Sequence, residues 1–239
     1  MGRREQRGLL ADAVREVLGR ARAELSDAEA VQLALSPARN PLLSENMNLS
    51  THSKLLRAMV HPSYTFRKKL SHTADSQDQR HRMTPASRPV LGLHYTGEPD
   101  YITPRLIQND EAVRREYDEE MARTWEDIEG LVGRGAAMEY ALYLLPNAVA
   151  IRFTESSDLL NLHHKHAMRL CYNAQEEIWR ASWEEARQVR ALEPEIGASL
   201  LPPCAHRAQA RRRPICPEGQ RYCGVLVWKL DLGEYRRVI

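Results

Sequence analysis

Met59-Val-His-Pro-Ser-Tyr-Thr-Phe-Arg-Lys-Lys-Leu-Ser-His-Thr73 sets Tyr64, Phe66 and Lys68 two apart between polar or small neighbours. That period of two over β-favourable residues predicts a strand across 59–73. It runs into Gln77-Asp-Gln-Arg-His-Arg-Met-Thr-Pro-Ala-Ser-Arg88, which is almost without apolar content. There Arg80 and Arg82 flank His81, and each guanidinium can take a phosphate through two parallel hydrogen bonds. The 75–82 segment is predicted to turn back as a short helix whose N-terminus adds partial positive charge for an anion. A solvated basic turn is the plain alternative.

Around this centre the chain reads as helices. Leu10, Val14, Val17, Leu18 and Ala21 recur at helical spacing, so 9–24 is predicted to be an amphipathic helix. Ser26-Asp-Ala-Glu29 resembles a capping box opening a second. Residues 36–48 are read as a loop, and 90–95 as a short strand. Asn109 or Asp110 caps a long helix with the stripe Val113, Tyr117, Met121, Thr124, Ile128 and Leu131, stopped by Gly133-Arg-Gly135. A helix over 136–145 and a strand over 148–154 follow. One further helix then runs from a Ser156 or Ser157 cap to about Leu192, with Arg169 on a face shared by His166 and Asn173. Prolines and Arg211-Arg-Arg213 make the tail irregular, closed by a strand over 225–232. Long helices packed on an antiparallel sheet give an α+β fold. The organisation read is an N-terminal helical segment (1–50), a ligand-binding domain (51–200) and a Cys/Arg-rich tail (201–239).

The formal charge of +2 gives no global field toward nucleic acid or anionic lipid. No apolar run approaches the roughly 20 residues that span a bilayer, and no secretory leader opens the chain. With four cysteines, three of them beyond position 200, no disulfide framework is expected. The reading is a cytoplasmic, reduced protein. Gly-x-Gly-x-x-Gly is absent, which argues against a Rossmann dehydrogenase. His163-His-Lys-His166 lacks a matched carboxylate or cysteine, and Cys204, His206, Cys216 and Cys223 are irregularly spaced, so no metal site is expected.

Five stretches in register resemble the flavin-dependent thymidylate synthase family. They are His61-Pro-Ser-Tyr-Thr-Phe66, Arg80-His-Arg82, Glu139-Tyr-Ala-Leu-Tyr-Leu-Leu-Pro146, Arg169-Leu-Cys-Tyr-Asn-Ala-Gln-Glu-Glu-Ile178 and Cys216-Pro-Glu-Gly-Gln-Arg-Tyr-Cys-Gly224. The resemblance implies methylation of C5 of a uridine monophosphate, dUMP or UMP, with FAD, NADPH and methylenetetrahydrofolate, by a homotetramer. It implies flavin contacts from His61, Arg80, His81 and Arg82, with Asn161 and His164 near the adenosine. Gln77, Arg80, Ser87, Arg88 and Arg169 would meet the nucleotide, and Arg169 would stabilise charge as C5 becomes nucleophilic.

The sequence departs from the family at two places. Val90 stands where the motif serine belongs, so either Ser87 replaces it or that contact is lost. Leu142 stands in place of a phosphate-binding arginine, which leaves Arg88 and Arg152 to compensate. These departures suit a member specialised for nucleoside-antibiotic synthesis. They also leave open a flavin- or nucleotide-binding homologue without catalysis. A third reading, an RNA-binding module using Arg80, Arg82 and Arg211–Arg213, is opposed by the near-neutral charge.

Overall fold

A computed structural model describes residues 5–45 and 52–237. Seven helices of seven residues or more occur among them: α1 Gln6–Leu18, α2 Asp27–Leu35, α3 His72–Asp78, α4 Glu111–Gly133, α5 Leu159–Arg169, α6 Glu176–Leu192 and α7 Pro203–Gln209. Strands β1 Ser63–Ser71 and β2 Ala150–Asp158 pair as a small antiparallel sheet, so the α+β expectation holds. The chain divides into two units. One holds Met1–Phe66, His81–Pro85 and Ser156–Val238; the other holds Arg67–Arg80 and Ala86–Glu155.

In the first unit α1 ends at Gly19, whose φ of 62° is a left-handed conformation open to glycine at little cost. The helix predicted to reach residue 24 therefore stops early, and Val17 and Leu18 stay exposed while Leu10 and Val14 are buried. Ser26 forms the expected capping box with Glu29. Buried Arg15 joins α1 to the start of α2 through Leu25 O at 3.0 Å and Asp27 at 2.9 Å. The core gathers Leu10, Val14, Val31, Leu56, Tyr64, Phe66, Leu162 and Trp179, among others. The single helix predicted from residue 156 to 192 is two. Ser156 and Ser157 belong to β2, Asp158 caps α5 by accepting from Asn161 N, and Gln175 caps α6 by accepting from Ile178 N. The break at 170–175 puts Asn173 off the face of Arg169. His166 is wholly buried, whereas Arg169 is half-buried. The tail strand predicted at 225–232 is replaced by a 3-10 turn at Val227–Lys229. The loop predicted at 36–48 carries a 3-10 turn at Pro41–Ser44, and its residues from 46 lie outside the described ones.

His163 stacks on His206 inside this unit, with centroids 4.6 Å apart, and His206 Nε2 lies 2.8 Å from Ser199 O. Burial pulls the His206 imidazole down to about 4 and His163 well below its ordinary value. Both are therefore neutral when folded. Above about 6.5, the ordinary histidine value, neither state binds the proton and stability is at its full value. Below it the unfolded chain takes up protons the folded one refuses, so stability falls until pH passes the folded value near 4. Urea midpoints are expected to drop through that window, less so for His206→Gln; a flat profile would contradict it.

In the second unit Asp110 caps α4, its carboxylate accepting from Ala112 N and Val113 N. The predicted stripe is inward at Met121 and Ile128, but Val113 is exposed, and the largest buried side chain of the helix is Trp125. Met121, Trp125 and Val149 make a small core there, flanked by Leu91, Tyr95 and Tyr101. The strand predicted at 90–95 is a one-turn helix, Leu91–His94, and the helix predicted at 136–145 is only Met138–Ala141 and a 3-10 turn to Leu144. Isolated antiparallel bridges, Ala86 to Glu155 and Tyr101 to Val149, run along β2 in place of a third strand.

Candidate functional site

The first unit brings His81 to two side chains of α5 that are far from it in sequence. Arg169 Nε donates to His81 Nε2 at 2.9 Å, and His81 meets His164 edge-on with ring centroids 5.9 Å apart. Asp158 builds this arrangement, because its carboxylate starts α5 and also holds the Asn161 amide at 2.8 Å. From that cap, α5 presents His164 on its second turn and Arg169 at its end. An imidazole nitrogen that accepts from a guanidinium carries no proton, so His81 is held with its proton on Nδ1. Burial first, and the Arg169 charge second, pull the His164 imidazole below its ordinary value. The result is two imidazoles and a permanent cation, an environment that favours developing negative charge. Arg82 is exposed one residue on. His61, inside the strand predicted across 59–73, is exposed and lies on the turn before β1.

The second unit carries the others. Ser71 caps α3, its hydroxyl accepting from Ala74 N, so the helix starts at His72 and ends at Asp78. Arg80 therefore follows the C-terminus of α3, not its N-terminus, and the helix dipole predicted to assist anion binding points the wrong way. Gln77 is half-buried on α3 and Arg80 is exposed.

Arg88 has a different environment from the one its exposed neighbours suggest. Its Nε lies 2.7 Å from Asp75 and its Nη2 3.7 Å from Asp78, while Lys68 Nζ reaches Asp78 at 2.6 Å and Glu155 at 3.4 Å. Phe153 lies under both cations, with Arg88 Cζ 4.8 Å from the ring centroid. Arg88 is thus neutralised by buried carboxylates. The inward alternation of Lys68 was visible in the sequence, but not the partners that allow it.

Arg152 also has a carboxylate partner, but it stands exposed on β2. It pairs with Asp100, as does Lys69 at 2.9 Å, and it lines an open groove of about 430 Å³ with Arg67, Lys69, Ser87 and Thr154. These three cations and two hydroxyls share one groove, a surface suited to a phosphoryl group. Leu142 supplies no cation. It packs over Gly92, where an added Cβ would lie 3.3 Å from its Cδ1.

Among the described residues the His163–His166 run holds no metal cluster. Lys165 and His166 are buried against Glu185 of α6, at 3.4 and 3.3 Å. Sequence reasoning missed this network because nothing in the spacing ties residue 165 to residue 185.

Residues 12–195 match the family model described as thymidylate synthase complementing protein. The chain belongs to that family. It is 29% identical over 170 residues to the flavin-dependent thymidylate synthase of Pyrococcus abyssi, covering 67% of this chain and 70% of that one. The enzyme of the same name from Nitratidesulfovibrio vulgaris is 30% identical over 178 residues, 69% of each chain, and that of Geobacter sulfurreducens 28% over 170, 70% of each. The matched region of this thymidylate synthase complementing family member includes every side chain of the His81–His164–Arg169 cluster. Among the described residues no helix is long and apolar enough to cross a membrane.

Proposed function

We propose that the protein methylates C5 of a uridine 5′-monophosphate, dUMP or UMP. The observation that carries this reading is the hydrogen bond from Arg169 to His81, which unites two sequence motifs 88 residues apart. Methylenetetrahydrofolate would give the one-carbon unit as the C5 proton leaves, and FAD reduced by NADPH would supply the hydride that completes the methyl group. Arg169 holds the pyrimidine edge, where a fixed guanidinium lowers the energy of the anionic ring without reorganising. The donor set of the first unit suits FAD: exposed Arg82 matches a pyrophosphate, and His81 and His164 match a ring edge, with Asn161 one turn before His164. Arg80 is assigned to flavin as well. His61 is assigned to flavin and Gln77 to the nucleotide. Ser87 and Arg152, in their basic groove, are assigned to phosphoryl binding. They take the place of the family arginine at Leu142, which the neutralised Arg88 does not replace.

Exposed Leu93, Tyr143 and Tyr140 support an assembly of several copies, a homotetramer in this reading. Light scattering should return a four-chain mass. The decisive assay is tritium release from 5-labelled dUMP and UMP with NADPH and methylenetetrahydrofolate under argon. Release from one or both is expected. A yellow protein that releases none from either would be a flavin-binding homologue without this catalysis.

A further inference from the structure

All four cysteines of the chain line one small cavity in the first unit, although they come from three separate places. Cys171 lies in the break between α5 and α6, Cys204 in the first turn of α7, and Cys216 and Cys223 on the irregular segment that follows. We propose that Cys171, Cys204, Cys216 and Cys223 form a tetrathiolate site for a soft divalent metal ion, with zinc the metal such a donor set selects. The site is separate from the His81–His164–Arg169 cluster and does not depend on what that cluster binds.

Three features of the cavity point to a metal rather than to four idle thiols. The first is the surrounding shell. Pro202, Pro203, Pro217, Val225 and Val227 make much of the lining, with Glu218 its one charged side chain, so the thiols share a mostly apolar pocket, the kind of surround that controls solvent access to a metal. The second is hydrogen bonding to sulfur. The backbone N–H of Asn173 donates to the Cys171 sulfur and that of Ala205 to the Cys204 sulfur, and both bonds favour the thiolate. The third is a half-buried cation. Arg237 is near enough to Cys171 and Cys223 to feel their charge, and it donates to Ala174 O beside them. Four thiolates around a dication leave a net negative site, which that guanidinium offsets.

As free thiols, Cys171 and Cys204 hold their protons firmly. Burial pushes Cys204 up to about 12 and raises Cys171. A bound metal deprotonates its thiols outright, so up to four protons leave as the ion enters. Among the described residues no three such side chains already stand in ligating geometry, so metal entry must draw the sulfurs inward to about 2.3 Å from the ion. Cys171, Cys216 and Cys223 lie outside the seven main helices, and Cys204 only just inside one, so little regular structure opposes the movement. Among its described residues, the segment beyond α7 has only one-turn 3-10 elements of its own. A metal joining it to the α5–α6 break would supply the order its secondary structure lacks.

The test uses the full-length chain purified under reducing conditions without chelator. Elemental analysis is expected to give one zinc per chain, whether or not flavin is present. Cobalt-exchanged protein should show thiolate-to-cobalt charge-transfer absorption and the visible bands of a tetrahedral ion. Alkylation should reach all four thiols only after a chelator is added. Cys216→Ser and Cys223→Ser should each lose the metal, whereas Cys223→His should retain it. The count on the unsubstituted chain stands even if the serine variants fold poorly. No stoichiometric metal, with four thiols equally reactive with and without chelator, overturns the proposal. So does mass spectrometry of the unreduced chain showing these cysteines paired as disulfides.

Discussion

Arg169→Ala is expected to lower turnover by about 10²–10³-fold, the loss that follows removal of one preorganised donor at a developing anion. Flavin content should change little, because Arg80, Arg82 and His61 remain. Two functions are removed together. The guanidinium that meets the pyrimidine goes, and so does the Nε–H that donates to His81 Nε2 at 2.9 Å and fixes which ring nitrogen carries the proton. Arg169→Lys separates the two. An ammonium restores a positive charge but not the planar fork, so it cannot hold His81 and a ligand edge in one plane. It should regain part of the KM and little of the turnover. His81→Asn keeps a polar group beside Arg169 and tests the imidazole alone. Single-turnover rates with saturating nucleotide make the comparison; an Arg169→Ala rate close to that of the unsubstituted protein would remove this side chain from the chemistry.

Much of that cluster was legible because motifs give residue types in order, and the chemistry of an anion site restricts those types. What the sequence left out was everything set by distant partners. β1 could be read from Tyr64 and Phe66, but Lys68 in the same inward series makes sense only beside Asp78 and Glu155. The helix predicted from residue 156 to 192 failed because Leu170, Ala174 and Ile178 keep helical spacing straight across the break. No Gly or Pro marks it, and Gln175 is a weak cap by type. At 90–95 local β-favourable composition lost to Pro89 and a single helical turn. Nothing in the spacing ties Cys171 to the three later cysteines that line the same cavity.

Glu185→Ala should cost about 3–5 kcal/mol of folding stability, the usual penalty for leaving one half of a buried ion pair behind. Lys165 is fully buried on α5, 3.4 Å from the Glu185 carboxylate, and His166 Nε2 is 3.3 Å from the same group. Without the carboxylate, the Lys165 ammonium stays at a fully buried position and loses its 3.4 Å partner. Glu185→Gln keeps an acceptor and should lose less. The double variant Lys165→Met, Glu185→Leu replaces the pair with apolar volume and should recover most of the stability, since burying two charges offsets much of what their attraction contributes. Urea unfolding of all three tests this. A double variant no more stable than Glu185→Ala would mean that packing, not charge, sets the cost. The pair also bears on function, because α5 presents His164 and Arg169 and Glu185 ties it to α6. The apolar pair should therefore fold well yet leave Arg169 less firmly placed, so that KM for the nucleotide rises while the urea midpoint stays high. If stability and KM instead move together through the series, the buried pair serves folding alone.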